Sequence, residues 1–265
     1  ALYRAYHGEG DIASVFCKIT TRFDEIISDL GLNLSLECEY LKIQKDLDNG
    51  AGSDYAASRG EYLNGIILSA YLGFTFIDAA SCIFFRADGQ LDAEKTNNYL
   101  KGLLKAYPRA VIPGFYGVMP DGNVTTFSRG GSDITGSIVA RASAATLYEN
   151  WTDVSGFLMA DPRCVDHPRR IELITYKELR ELSYMGATVL HDEAVFPVRY
   201  VGIPINIKNT NRPEDKGTFI VESTCRKPKY VITGIAGKKG FVSITIDKDM
   251  MNSEIGFGRK VLQVF

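Results

Sequence analysis

The chain has 265 residues, 45% of them hydrophobic and 23% charged, and a formal net charge of −2. That length suits one large α/β core or two domains, and the near-neutral balance provides no basic field for gripping nucleic acid or an anionic membrane surface. The longest charge-free run, Tyr62 to Ile77, is too short to span a bilayer.

Five cysteines, Cys17, Cys38, Cys82, Cys164 and Cys225, are scattered and odd in number. They read as free thiols of a reducing compartment, which points to the cytoplasm and away from a disulfide framework or a zinc site. The three histidines, His7, His167 and His191, do not cluster, so no dedicated metal-ligand set is expected.

In chain order, Ala1 to Tyr6 already reads as helix. Ile12 to Leu30 places Ile12, Val15, Phe16, Ile19, Phe23, Ile26, Ile27 and Leu30 at three- and four-residue spacings, an amphipathic helix closed by Gly31. A second helix is expected over Leu34 to Leu47. A third starts at Ser53-Asp54 as N-cap, carries Arg59, Gly60 and Glu61, and runs to Leu72. Glu61 interrupts an apolar helix, either as a solvated acid favoured by the helix dipole or as a functional one. Phe74 to Asp78 and Ile83 to Arg86 read as short buried strands. Leu91 to Tyr107 reads as a helix ended by Pro108, and Asp121-Gly122-Asn123 as a hairpin turn.

The stretch Thr125-Thr-Phe-Ser-Arg-Gly-Gly-Ser-Asp133 then reads as a strand end, a glycine turn and a helix start, with Ser132 or Asp133 as N-cap and the helix running from Ile134 to Ala145. Orphan N–H groups of a first helical turn attract negative oxygens, and Arg129 adds a planar fork suited to a carboxylate or phosphate. Leu147 to Trp151 is the next strand and delivers Thr152-Asp153 to the same sheet edge. Gly156 to Arg163 is a loop, since Pro162 rules out helix. Tyr176 to Met185 reads as a helix closed by Gly186. Thr188 to Ala194 starts another that Pro197 interrupts, with His191 in a core or supporting position. Ile203 to Ile207 is a strand and Asn209 to Gly217 a polar linker. Strands over Tyr230 to Thr233 and Phe241 to Ile246 and a helix from Phe257 open a second unit. The alternation of helices and short apolar strands means an α/β fold with a parallel or mixed sheet, whose ligands sit at the carboxyl ends of strands. Both ends look cut, because the helical pattern Phe257 to Phe265 stops unfinished.

Several motifs follow one another in a familiar order: Ser58-Arg59-Gly60-Glu61, Val111 to Phe115 with Gly117, Phe127 to Asp133, Trp151 to Arg163, Ser183 to His191, Pro204 to Gly217 and Ile232 to Phe265. In these the chain resembles the aspartokinases of the amino-acid kinase superfamily across nearly its whole length. The resemblance implies a three-layer αβα sandwich with a mainly parallel central sheet over residues 1–222, lacking the family's N-terminal strand and phosphate loop. Residues 223–265 would be the start of an ACT regulatory domain, an ACT-like β-α unit.

The implied activity is transfer of the ATP γ-phosphoryl group to the β-carboxylate of L-aspartate, giving 4-phospho-L-aspartate, the first step toward lysine, threonine and methionine. By resemblance Arg129 grips the substrate α-carboxylate, and Glu61 and Asp133 face its ammonium and organise the site. Gly130, Gly131 and Ser132 shape the turn. Thr152 and Asp153 contact the nucleotide, with Arg163 reaching it from its loop. Mg²⁺ would arrive with ATP, an effector such as lysine or threonine would bind near Met251, Ser253 and Phe257, and the protein would be a homo-oligomer through its ACT domains.

Three departures stand out. The family's opening Lys-Phe-Gly-Gly motif does not occur, and Leu158 and Thr188 replace a usual Tyr and Lys on the nucleotide side. Little or no kinase activity is therefore expected of this chain alone. Two alternatives stay open: a related kinase for another acidic acceptor such as glutamate or acetylglutamate, or a non-catalytic regulatory or assembly piece.

Overall fold

The structure, a computed structural model, describes residues 12–184, 190, 192–225, 230–237, 239–240, 242–249, 251 and 255–264. The helix expected over Ala1 to Tyr6 lies outside them, as do His7 and His191.

Helix α1 (Ile12–Asp29) buries Phe16 and Ile27, as its spacing predicts. It ends at Gly31 with φ 61°, where Leu32 N–H reaches back to the Ile27 carbonyl and Gly31 N–H to that of Ser28, the paired bonds of a glycine C-terminus. Helix α2 is Glu37–Asp48 and α3 is Ser53–Leu72. Gly73 stops α3 by the same device at φ 66°. The start of α3 differs from expectation: Gly52 is the N-cap, and Asp54 instead accepts bonds from Thr125 Oγ1 (3.1 Å) and Thr126 N–H (3.0 Å). An acid that could have served its own helix ties it to the strand leading into the Arg129 turn.

Strand β1 (Thr75–Phe76) is followed by a 3-10 turn (Ala79–Ser81) capped by Asp78, by helix α4 (Ala93–Ala106) and by β2 (Ala110–Val111). β1 and β2 pair in parallel. The strand expected over Ile83 to Arg86 is reduced to two isolated bridges, Phe84 to Val118 and Phe85 to Leu91. β3 (Tyr116–Val118) and β4 (Val124–Thr126) form the hairpin that Asp121-Gly122-Asn123 predicted, with Asp121 accepting from Asn123 N–H. Helix α5 (Gly131–Ala142) follows, then β5 (Tyr148–Thr152), β6 (Leu173–Thr175), helix α6 (Tyr176–Tyr184), helix α7 (Asp192–Arg199), β7 (Ile205–Asn209) and β8 (Thr218–Val221). A four-stranded sheet runs in the order β5-β7-β8-β6. Its outer pairs β5–β7 and β6–β8 are parallel and its central pair antiparallel. The fold is thus the expected mixed α/β type with parallel pairing predominant.

Pro197 does not break α7 as expected. The N–H of Val198, the residue after the proline, donates to Ser137 Oγ at 3.3 Å and ties this turn of α7 to α5. Beyond Glu222, no strand forms over Tyr230 to Thr233 or over 242–246 among the described residues. Val231, Val242 and Ile244 stay exposed, because an apolar strand without a paired edge has nothing to bury against. Helix α8 (Phe257–Leu262) is present as expected. No helix among the described residues is long and apolar enough to cross a membrane.

Two apolar cores result. One gathers Leu36, Ile43, Leu63, Ile67, Ile83, Leu100 and Tyr116, and the other Phe157, Ile174, Leu179, Val198, Ile205 and Ile207. Helix α5 belongs to both, giving Ile138 and Ala142 to the first and Ala140 to the second. The N-terminus of this shared helix is the Arg129 turn.

Candidate active site

The turn is built by steric exclusion. Phe115 sits at φ 83°, a left-handed conformation that is strained for a bulky residue, and its carbonyl accepts from Phe127 N–H at 2.9 Å. Its own N–H donates to Thr135 Oγ1 at 3.2 Å, and that hydroxyl donates to the Gly131 carbonyl. A side chain on Gly131 would lie 2.9 Å from both Phe115 Cα and Phe127 Cβ, and one on Gly114 would lie 2.9 Å from Ser132 Cα. Gly130 takes φ 55° and is the N-cap, so neither Ser132 nor Asp133 caps the helix as expected. The left-handed glycine starts α5 three residues early, at Gly131. The first-turn N–H groups are left without a side-chain cap, a geometry suited to an anion. Arg129 is exposed, and its guanidinium is bonded to none of the described residues.

Asp133 is held from the other side. Its Oδ1 accepts from Asn150 Nδ2 at 2.8 Å, its carbonyl accepts from the Tyr148 hydroxyl at 3.2 Å, and Asn150 Nδ2 also donates to that hydroxyl. Gly136 makes the approach possible, since any Cβ there would collide with the Tyr148 ring.

Glu61 lies one helical turn before Gly65 on α3, hence on the same face. Gly65 packs directly on Phe76 and Pro113, and the next residue, Gly114, packs on Ser132. The face of α3 that carries Glu61 and the start of α5 therefore flank one segment, Pro113-Gly114-Phe115. Glu61 is solvent-accessible, yet crowding by protein raises its carboxyl above the ordinary range, offset in part by its own backbone N–H. A carboxylate held in that state gains from an incoming cation. No hydrogen bond or ion pair joins Glu61, Arg129 and Asp133 to one another among the described residues.

Along β5 burial alternates, with Glu149 and Trp151 outward and Tyr148, Asn150 and Thr152 sharing the inner face. Asn150 thus connects Asp133 to the strand tip at Thr152, one pleat further on. There Thr152 Oγ1 donates to Asp153 Oδ1 at 3.2 Å, and the Thr152 carbonyl accepts both Thr210 N–H and Thr210 Oγ1. Ser155 Oγ donates to Asp215 Oδ2 and accepts from Asn209 Nδ2. Lys208 Nζ donates to the carbonyls of Pro213 and Asp215, both at 2.9 Å, and sits 5.1 Å from the Trp151 ring. These bonds stitch the turn after β5 to the loop after β7. Sequence reasoning missed Asn150, Ser155, Lys208, Asn209 and Asp215, although Lys208 to Asp215 lies within a stretch already singled out. The expected linker is a structured strand-end loop.

Leu158 is 40% exposed and bridges to Arg170. Thr188 and Ser253 lie outside the described residues. Met251 and Phe257 line an open groove of about 510 Å³ with Ile244, Ile246 and Leu262.

Arg163 is exposed and clipped to its neighbour, with Nη2 2.7 Å from Asp161 Oδ2 and Nε 3.0 Å from Oδ1. The guanidinium holds the Asp161 carboxyl down at about 2. A depressed carboxylate supports its clip at every pH above its unfolded value and loses it only as pH falls through the folded one. A proton titration followed by carboxyl NMR should therefore show Asp161 still ionised at pH 3, and Arg163→Ala should raise its midpoint part of the way to the ordinary range, since the backbone N–H of residue 163 still donates to Oδ1.

Residues 10–209 match the Amino acid kinase family. The chain belongs to the amino acid kinase family. Within it, the similarity of this kinase-family chain is to aspartokinases. It is 51% identical over 154 residues to aspartokinase 3 of Bacillus subtilis, covering 58% of this chain and 34% of that protein. The crystal structure of Clostridium acetobutylicum aspartate kinase superposes with a TM-score of 0.83 at 51% identity, over 99% of this chain and 60% of that one. Escherichia coli aspartokinase III, solved in complex with aspartate and ADP, has a TM-score of 0.65 at 23% identity over 77% of this chain and 52% of that one, a likeness of fold alone. The chain spans between about a third and three fifths of the length of these relatives.

Proposed function

We propose that this kinase-family chain carries the amino-acid and nucleotide sites of an aspartate kinase, which moves the ATP γ-phosphoryl group onto the β-carboxylate of L-aspartate. In the reaction a carboxylate oxygen forms a bond to phosphorus while the bond to the β,γ-bridging oxygen breaks, releasing ADP. A carboxylate with a pKa of about 4 is already ionised at neutral pH and needs no general base, so positioning and charge neutralisation carry the catalysis.

Arg129 takes the α-carboxylate in a two-bond grip beside the uncapped N–H groups of α5. Glu61 takes the ammonium, which offsets the crowding that lifts its carboxyl. Asp133 organises the turn, and Gly130, Gly131 and Ser132 shape it. Thr152 and Asp153 receive the nucleotide, with Leu158, Arg163 and Thr188 around it. Mg²⁺ would arrive with the nucleotide and would supply charge neutralisation during the transfer. The observation that carries this reading is the inner face of β5, where Asn150 bonds Asp133 and the next inward residue is Thr152.

The same reading divides the chain into residues 1–222, a kinase domain, and 223–265, the opening of an ACT regulatory domain with the Met251 and Phe257 groove as the place for lysine or threonine. It also implies assembly through that domain. Because no Lys-Phe-Gly-Gly stretch occurs in the 265 residues to grip the phosphates, transfer by this chain alone should be slow or nil.

The test is calorimetric titration paired with hydroxylamine trapping of acyl phosphate. L-aspartate should bind at one site, at least about tenfold more tightly than L-glutamate. Trapped acyl phosphate should stay near background. Equal affinity for glutamate, or no binding of either, would remove the substrate assignment, and rapid trapping would remove the expectation of inactivity.

A further inference from the structure

Among the described residues Arg59 is the one charged side chain that is buried, at 5% exposure, and no carboxylate of theirs lies within ion-pair distance of it. Its Nε donates to the Tyr55 carbonyl at 3.2 Å and to Ser58 Oγ at 3.3 Å, and its Nη2 donates to Ser58 Oγ at 2.9 Å. The rest of its charge is met by rings. Its guanidinium carbon is 4.2 Å from the centroid of Tyr55, 4.6 Å from Tyr62 and 5.3 Å from Tyr116. Each ring is anchored to a different acid: Tyr55 donates to Asp46 at 2.6 Å, Tyr62 to Glu39 at 2.8 Å and Tyr116 to Asp78 at 2.7 Å. Burial pushes all three phenols up, so they remain donors at neutral pH.

A buried charge is costly, and an apolar side chain of similar volume fills such a space with no desolvation penalty. Filling the core therefore does not account for an arginine. What the cation supplies is direction, because an electrostatic contact with a ring face holds the ring in one orientation. The ring that matters is Tyr116. It follows Phe115, the strained residue whose N–H is bonded to Thr135, whose carbonyl is bonded to Phe127 and whose Cα forms the wall against Gly131. Phe127 leads into Arg129 and Gly131 leaves it. Two positions along α3 from Arg59 is Glu61.

We propose that Arg59 is a positioning residue for the amino-acid pocket: by gripping Tyr116 from α3 it fixes the distance between Glu61 and the Arg129 turn. What the pocket holds rests on the aspartate-kinase reading. Arg59 itself touches no ligand; it acts through Tyr116 and Phe115. The tip at Thr152 is fastened to the loop after β7 by bonds that do not involve Arg59, and it meets the α5 turn through Asn150.

The experiment is calorimetric titration of the whole chain with L-aspartate and, separately, with ADP, for wild type, Arg59→Met, Arg59→Lys and Tyr116→Phe. Arg59→Met should weaken aspartate at least about tenfold and leave ADP within about twofold. Arg59→Lys, which keeps a cation over the rings, should recover most of that loss. Tyr116→Phe keeps the ring and loses only the Asp78 anchor, so it should weaken aspartate about threefold, and it decides the matter if Arg59→Met does not fold. Unchanged aspartate affinity in Arg59→Met, or in Tyr116→Phe where that variant decides, overturns the proposal. So does an equal loss for both ligands. A wild-type chain that takes up no aspartate would instead count against the substrate reading, before any variant is compared.

Discussion

Replacing Arg129 by alanine should weaken aspartate binding about a hundredfold while leaving ADP binding within about twofold of wild type. The guanidinium is exposed and bonded to none of the described residues, so its removal breaks no structural contact and leaves the melting temperature nearly unchanged. What goes is a pair of charge-assisted hydrogen bonds to a carboxylate, together about 3 kcal/mol, which is about a hundredfold in affinity. Arg129→Lys should restore little, because an ammonium offers a point charge where the site calls for a planar fork. Calorimetry against both ligands measures the split. Collapse of ADP affinity with aspartate binding retained would reverse the division of roles between the α5 turn and the β5 tip.

The second large effect concerns the turn itself. Gly131→Ala should lower the melting temperature by about 5–10 °C, from an overpacking cost of about 2–3 kcal/mol in a domain of this size. The added methyl would meet Phe115 Cα and Phe127 Cβ, each at 2.9 Å. Neither can retreat cheaply. Phe115 is already at φ 83° with both its backbone polar groups bonded, and Phe127 N–H is one of those bonds. Relief must come from shifting the Arg129 turn, so aspartate binding should fall together with stability. Gly60→Ala is the control: that position has open space around it and ordinary helical geometry, so alanine there should be neutral or slightly stabilising. Thermal unfolding of the two variants against wild type distinguishes a steric effect at one glycine from a general intolerance of change.

How much of this was legible in the sequence depended on how local the deciding interaction is. Helix α1 and helix α3 were readable because apolar spacing and a following glycine are local signals, and Gly31 and Gly73 stop their helices as expected. The hairpin at Asp121 to Asn123 was readable for the same reason. Strands β6 and β8 were not, since three or four residues carry too little alternation. β8 also follows a polar stretch that looks like a linker until Lys208, Asn209 and Asp215 are seen to be its fastenings. The helix start at Gly131 was misjudged because side-chain caps are the usual rule, and a left-handed Gly130 overrode it.

At the site, Arg129 and its glycines could be read as an anion turn from residue types alone, whereas the roles of Glu61 and Asp133 came from the family resemblance. The partners that hold them could not be read. Asn150 meets Asp133 across 17 positions of chain and Tyr116 meets Asp78 across 38, and no local pattern encodes either bond. Arg59 was the least visible. A charge on a helix reads as solvated unless the rings that enclose it are known, and one of them comes from a distant strand.

The most direct test is a crystal structure of the chain grown with L-aspartate and ADP. The account predicts one amino-acid ligand beside Pro113-Gly114-Phe115, its α-carboxylate on the Arg129 guanidinium and the first-turn N–H groups of α5, its ammonium at Glu61, and its β-carboxylate directed toward Thr152. An aspartate bound elsewhere, or Glu61 and Arg129 opening onto separate cavities with none between them, would contradict it.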